Sequence, residues 1–125
     1  MNLGEVFSWI TSQALGHQLR DKMHVFMCEE DGFDGHTFLF ISTIDYGGDF
    51  KILQADYPSF LTHDSYISLG RPVCYSDADL NSYTKQQVGQ IRKDHLQQLF
   101  HAVQGSDTME ARYIKRVGNA LKAAL

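Results

Sequence analysis

The sequence predicts a mainly β fold in which a small, curved antiparallel sheet or barrel precedes two α-helices. Short apolar stretches separated by turn residues fill the first eighty residues, which is typical of strands. After residue 80 the apolar residues recur at helical spacing instead. A chain of 125 residues with 43% hydrophobic residues supports one core, so we expect a single domain over 1–125, with the barrel at about 4–92.

The first strands are expected where β-branched and aromatic residues cluster. The apolar cluster Val6–Ile10 is compatible with a strand or a helical turn. Residues 16–22 are polar and predict a loop, and residues 23–29 predict a strand. The Asp-Gly turns in 30–35 then lead to a strand at 36–43, which makes these two strands a hairpin.

Further strands are expected after the hairpin. The turn at 45–49 contains a Gly-Gly pair that supplies positive φ, and residues 50–55 predict a third strand. Residues 65–76 predict a strand that Gly70 and Pro72 interrupt, as happens where a strand bends sharply at a barrel corner.

Two helices are expected at the end of the chain. The apolar spacing predicts the first helix over about 93–104, with Gly105 as its C-terminal cap. The second is predicted over about 107–123, because Asp107 and Glu110 have the spacing of a capping box.

Charge is distributed unevenly along the chain, whose net charge is −4. Residues 1–80 hold 4 basic and 12 acidic residues, a net −8, whereas residues 81–125 hold 7 basic and 3 acidic residues, a net +4. The acidic balance argues against a general nucleic-acid coat protein. No apolar run is long enough to span a membrane, and no basic segment precedes the first apolar stretch. We therefore expect a cytoplasmic protein without a membrane segment.

Cysteine and histidine spacing gives little indication of a metal or cofactor site. Cys28 and Cys74 lie in apolar, strand-like segments, which favours two buried thiols over a disulfide. The six histidines lack metal-ligand spacing, and the chain has no glycine-rich phosphate loop. We expect neither a metal nor another cofactor.

Several short strings follow one another along residues 4–104. They are GEVF at 4–7, GH at 16–17, KMHVFMC at 22–28, IST at 41–43, HDSYI at 63–67 and GQI at 89–91. In this order they resemble the PemK/MazF-like family, the toxins of bacterial toxin–antitoxin pairs. Two family features differ here: Met23-His24 replaces an Arg-Pro pair, and Ser68–Gly70 stands where an Arg-x-Asp pair is found.

The resemblance implies a fold, an activity and partners. It implies an SH3-like β-barrel that forms a homodimer and cleaves single-stranded RNA sequence-selectively without a metal ion. It also implies an antitoxin protein whose C-terminal segment lies across the dimer groove. Two alternatives remain: a non-catalytic binding module on the same barrel, for nucleic acid or a protein partner, and docking of an acidic partner on the basic face of residues 112–122.

Metal-free RNA cleavage needs a base, a stabiliser of the phosphorane charge and an acid. An unperturbed imidazole titrates near pH 6.5, so histidine suits the base or acid, while cations and hydroxyls suit the phosphate. The candidate catalytic residues are His17, Lys22, His24 and Thr43. The candidate RNA-binding residues are Arg20, Ser42, His63, Ser65 and Arg71.

Overall fold

Seven strands and three helices make up the fold in the computed structural model, which describes residues 1–11, 20–30 and 35–125. The strands are β1 (Glu5–Thr11), β2 (Arg20–Glu30), β3 (Gly35–Ser42), β4 (Phe50–Ile52), β5 (Ser65–Ile67), β6 (Val73–Ser76) and β7 (Gln86–Gln90). The helices are α1 (Asp77–Ser82), α2 (Lys93–Gln104) and α3 (Ala111–Ala124), and a 3-10 turn covers Gln54–Asp56.

The strands form one curled antiparallel sheet with the shape of a half-barrel. Its order is β4-β5-β3-β2-β1-β7, and β6 also pairs with β3. One edge of β3 serves two partners, because Ile41 and Ser42 pair with β5 while Gly35–Phe38 pair with β6. The predicted curved antiparallel sheet is confirmed, and so is the predicted break between 65 and 76, which separates β5 from β6.

The two faces of the sheet bury different kinds of side chain. Alternation along β3 sends Leu39 and Ile41 to one face and Phe38 and Phe40 to the other. The first face packs against α2 and α3 in a mostly aliphatic core. The second face carries what we call the aromatic layer, formed by Trp9, Phe26, Phe38, Phe40 and Tyr75. Because both faces of β3 are buried, nearly all of its successive residues are apolar.

Several predicted elements need correction. β2 begins at Arg20 rather than 23, and the strand predicted over 50–55 ends at Ile52. α1 was not predicted, and its N-cap is Ser76, whose hydroxyl accepts the Asp79 N–H at 3.1 Å. β7 was not predicted as a separate strand either, because its exposed glutamines lack an apolar alternation.

The two C-terminal helices follow the prediction at three of their four ends. α2 has the predicted bounds, and the Gly105 N–H caps it at 3.1 Å from the His101 carbonyl. The capping role predicted for Asp107 is wrong, because α3 begins only at Ala111. The Ser106 hydroxyl instead accepts two N–H groups of a turn that precedes α3. None of the helices described is long and apolar enough to cross a membrane.

The cysteines are free thiols in a different environment from the one predicted. Cys74 is exposed and Cys28 is half-buried, so the expectation of two buried thiols is wrong. Both residues lie opposite Thr37, one on each side of β3. Two strand spacings, about 10 Å, therefore separate their backbones, and a disulfide spans at most about 7 Å. This register excludes a bond between them.

Replacing Gly118 with alanine is expected to raise the free energy of unfolding by about 0.5–1 kcal/mol, because alanine favours helix over glycine. Gly118 lies inside α3, and an added Cβ would meet only the amide of Gln104, the end of an exposed, flexible side chain. The measurement is urea denaturation. Gly89→Ala is the contrasting control, since its Cβ would collide with the Phe60 ring and destabilise the fold. Equal losses in both variants would contradict this prediction.

Candidate functional site

An open groove of about 570 Å³ lies where β1, β2, β3 and β5 approach the segment around Phe60. We call it the groove. Four of the predicted site residues line it: Lys22, Ser42, Thr43 and Ser65. They come from three strands and one strand end, so the sheet brings together residues that are up to 43 positions apart in sequence.

A smaller cavity of about 120 Å³, here the side cavity, adjoins the groove. Lys22, Ser42 and Tyr46 line both spaces. The side cavity adds Arg71, another predicted residue, from the segment between β5 and β6. Among the side chains that the structure describes, two cations therefore line the side cavity, one of which it shares with the groove.

A shallow depression adjoins the groove at its other side through Thr43, which lines both. It contains His63, so six of the nine predicted residues line three connected spaces. His63 Nδ1 lies 3.0 Å from the Thr62 hydroxyl, and the Ser65 hydroxyl donates to the His63 carbonyl at 2.9 Å. The buried Ser65 thus fixes the backbone that carries His63.

The turn at 45–49 holds Tyr46 at the mouth of both spaces. The Asp45 carboxylate accepts the Gly47 N–H at 2.9 Å, and the Asp49 carboxylate accepts the N–H groups of Tyr46 at 2.9 Å and Leu69 at 3.0 Å. Gly47 has φ +119°, which confirms the predicted positive φ. Tyr46 remains 54% exposed and is available to stack against a planar ligand.

The groove also contains a carboxylate that is not among the predicted site residues. Asp21 lines it beside Lys22, and the Ser8 hydroxyl donates to the Asp21 carboxylate at 2.6 Å. Register brings the two strands together here, since Ser8 pairs with Met23 and Ile10 pairs with Asp21. In the sequence Asp21 stands between Arg20 and Lys22 and suggests only a surface ion pair, so its partner Ser8 could not be found by spacing.

His24 needs a different interpretation from the catalytic one. Its ring is fully buried and stacks on Trp9 with 3.6 Å between ring centroids, on the aromatic side of the sheet. Nδ1 lies 2.9 Å from the Lys22 carbonyl, which can only accept, so Nδ1 carries the proton. Nε2 then accepts from the Tyr75 hydroxyl at 3.1 Å. Burial lowers the pKa of His24 to about 3, and the ring stays neutral and inaccessible to substrate.

Two predicted residues are not placed by side chain. His17 lies outside the described residues, and Arg20 is described only through its backbone, which pairs with Thr11 at the start of β2. Within the described ranges no group of three His, Cys, Asp or Glu side chains converges as a metal site would require.

Comparison with known proteins does not assign the chain to a family. No protein-family model matches the chain, and no curated protein matches it. The resemblance to the PemK/MazF-like toxins therefore stays a prediction, and the groove and its residues are the remaining evidence for a function.

Proposed function

We propose that this protein is a metal-independent endoribonuclease of the PemK/MazF-like type, built on an SH3-like barrel, that cleaves single-stranded RNA in the groove. The observation that carries the proposal is the convergence of Lys22, Ser42, Thr43 and Ser65 on one groove, with Arg71 and His63 in the spaces that adjoin it. These are the residue types that bind and polarise a phosphodiester.

Lys22 and Ser42 are the best-placed groups for the scissile phosphate, because both lie between the groove and the side cavity. The Ser42 oxygen accepts the Ile44 N–H at 3.2 Å, which leaves its own O–H to donate to a phosphate oxygen. Arg71 supplies a second cation from the side cavity. Together they would stabilise the negative charge that grows on the phosphorane.

Proton transfer uses groups on either side of that phosphate. The 2′-hydroxyl attacks phosphorus, its proton passes to a base, and the departing 5′-oxygen takes a proton from an acid. The Asp21 carboxylate lines the groove as an acceptor, and His63 lies across Thr43 as a donor. A 2′,3′-cyclic phosphate and a 5′-hydroxyl end result, and Tyr46 would stack on a neighbouring base.

The biological role that fits this activity is that of the toxin of a type II toxin–antitoxin pair in the cytoplasm. The resemblance supplies this part of the proposal, including a homodimer and an antitoxin protein. Ile44 and Tyr46, each 54% exposed at the groove, would give an apolar contact to an antitoxin segment that covers it.

Lys22→Gln is expected to lower the rate of RNA cleavage about 100-fold, because it removes one charge from the transition state. The measurement is cleavage of a long single-stranded RNA in the presence of EDTA. Lys51→Gln is the matched control, since Lys51 is an exposed cation of β4 that lines none of the three spaces. Its rate should equal that of the unmodified protein.

The outcomes separate this proposal from a non-catalytic binding module. That second candidate is favoured by the burial of His24, which removes one expected imidazole from the groove. RNA that binds with an affinity that falls with salt but stays intact would support the binding module instead. RNA that is neither bound nor cut would contradict both the endoribonuclease and a module that binds nucleic acid.

A further inference from the structure

The outer face of α3 is strongly basic. The helix carries Arg112, Lys115, Arg116 and Lys122 and no acidic residue between Ala111 and Ala124, and its N-cap Glu110 accepts from Arg112 Nε at 3.0 Å. Val117 and Leu121 turn its opposite face into the core. The helix therefore accounts for the whole excess of positive charge in residues 81–125, and the function proposed above makes no use of it.

The first half of α3 concentrates this charge around one aromatic ring. The guanidinium carbons of Arg112 and Arg116 lie 4.7 Å and 5.1 Å from the centroid of the Tyr113 ring. Tyr113 and Arg116 also contact β6, where the Cys74 sulfur lies 3.8 Å from the Tyr113 hydroxyl and 3.9 Å from Arg116 Nη1. The basic face is thus fixed against the sheet.

This basic face begins where the side cavity ends. Thr108, in the turn that precedes α3, lines the side cavity together with Arg71. Three residues after Arg71 the chain reaches Cys74, which contacts Tyr113 and Arg116. Lys22 and Arg71 thus line the side cavity together with Asp49, and Thr108 joins this cavity to the turn from which α3 begins.

We propose that α3 is a second phosphate-binding surface, which holds the RNA strand after it leaves the groove past Arg71. This inference rests on the function proposed above. A polyanion with a charge at every nucleotide matches a helix face of one sign, and continuity with the side cavity favours RNA over an acidic protein. The face binds phosphates and reads no sequence, so it extends the length of strand that the protein holds without choosing the cleavage site.

The test compares a short and a long RNA on the same variants. Both RNAs carry 2′-O-methyl groups, which prevent cleavage, and they have about 4 and about 16 nucleotides. The variant is Arg112→Gln/Lys115→Gln/Arg116→Gln. We expect about a tenfold loss of affinity for the long RNA and a slope of log K against log salt that is smaller by about 2, with the short RNA unaffected.

Three further measurements control for the charge, the position and the folding of the substituted residues. The double variant Arg112→Lys/Arg116→Lys keeps both charges and should keep most of the affinity for the long RNA. Lys51→Gln serves again as the control, and urea denaturation shows whether the triple variant is folded. A folded triple variant that binds the long RNA as tightly as the unmodified protein overturns the inference.

Failure of this inference can be told apart from failure of the proposed function. If Lys22→Gln weakens both RNAs while the α3 variant changes neither, the groove binds RNA and α3 does not. If the unmodified protein binds neither RNA, both proposals fail. Poly-glutamate binding that the triple variant loses, without RNA binding, would assign α3 to an acidic protein partner and overturn the inference.

Discussion

Replacing Trp9 with alanine is expected to lower the free energy of unfolding by about 4 kcal/mol, a large part of the total stability of a domain this size. Trp9 is 2% exposed and lies at the centre of the aromatic layer. It stacks on His24 and meets Phe38 and Tyr75 edge-on, with 5.2 Å and 5.3 Å between ring centroids. Alanine would leave a cavity that these three rigid rings cannot close.

Trp9→Phe is the matched control for the ring itself. The indole N–H is buried, and no hydrogen-bond partner for it is found in the structure as described. Phenylalanine keeps an aromatic ring in the stack and removes this unpaired donor, which offsets part of its smaller volume. We expect it to cost less than half as much as alanine in urea denaturation. Equal losses for the two substitutions would contradict a role for ring packing.

Local sequence patterns predicted the elements whose residues determine their own conformation. The hairpin strands β2 and β3 are rich in β-branched and aromatic residues, and α2 has an apolar stripe closed by Gly105. Both were found with errors of a few residues at most. The turn at 45–49 was found because glycine is the residue that supplies positive φ there.

Elements that depend on distant partners were not predictable in the same way. β7 has no apolar alternation and becomes a strand because it pairs with β1. Asp107 and Glu110 have capping spacing, yet α3 starts later because Ser106 takes the N–H groups of the preceding turn. Of the missed elements, α1 could have been predicted from the sequence, because Ser76 followed by Asp79 has the spacing of an N-terminal cap.

The candidate site was predicted by residue type but not by orientation. Lys22 and His24 alternate with Met23 along β2 and share one face, yet Lys22 reaches the strand end and the groove whereas His24 lies under Trp9. An alternating pattern fixes which face a residue takes, and only the tertiary structure decides whether that face is covered there. For the same reason Asp21 and Ser8 could be recognised as a pair only after β1 and β2 were aligned.

Acid is expected to destabilise the protein through His24. Because burial lowers the pKa of His24 in the folded state to about 3, the unfolded chain binds its proton more readily than the folded one. The stability from the neutral ring is therefore fully present above about pH 6.5 and is lost as the pH falls from about 6.5 towards 3. The expected slope is about 1.4 kcal/mol per pH unit, or about 2 kcal/mol lost at pH 5.

The variant that tests this is His24→Phe, which keeps a ring against Trp9 and cannot be protonated. Tyr75 keeps a partner in the variant, because its hydroxyl also lies 3.1 Å from the Thr11 hydroxyl. The Lys22 carbonyl loses its donor, so the variant should be less stable at neutral pH by about 1–3 kcal/mol, but its stability should fall less steeply as the pH is lowered.

The measurement is the free energy of unfolding from urea denaturation at a series of pH values between about 7 and 5. His101→Gln, on the exposed side of α2, should keep the full slope. Parallel profiles for His24→Phe and the unmodified protein would show that a group other than His24 causes the acid sensitivity.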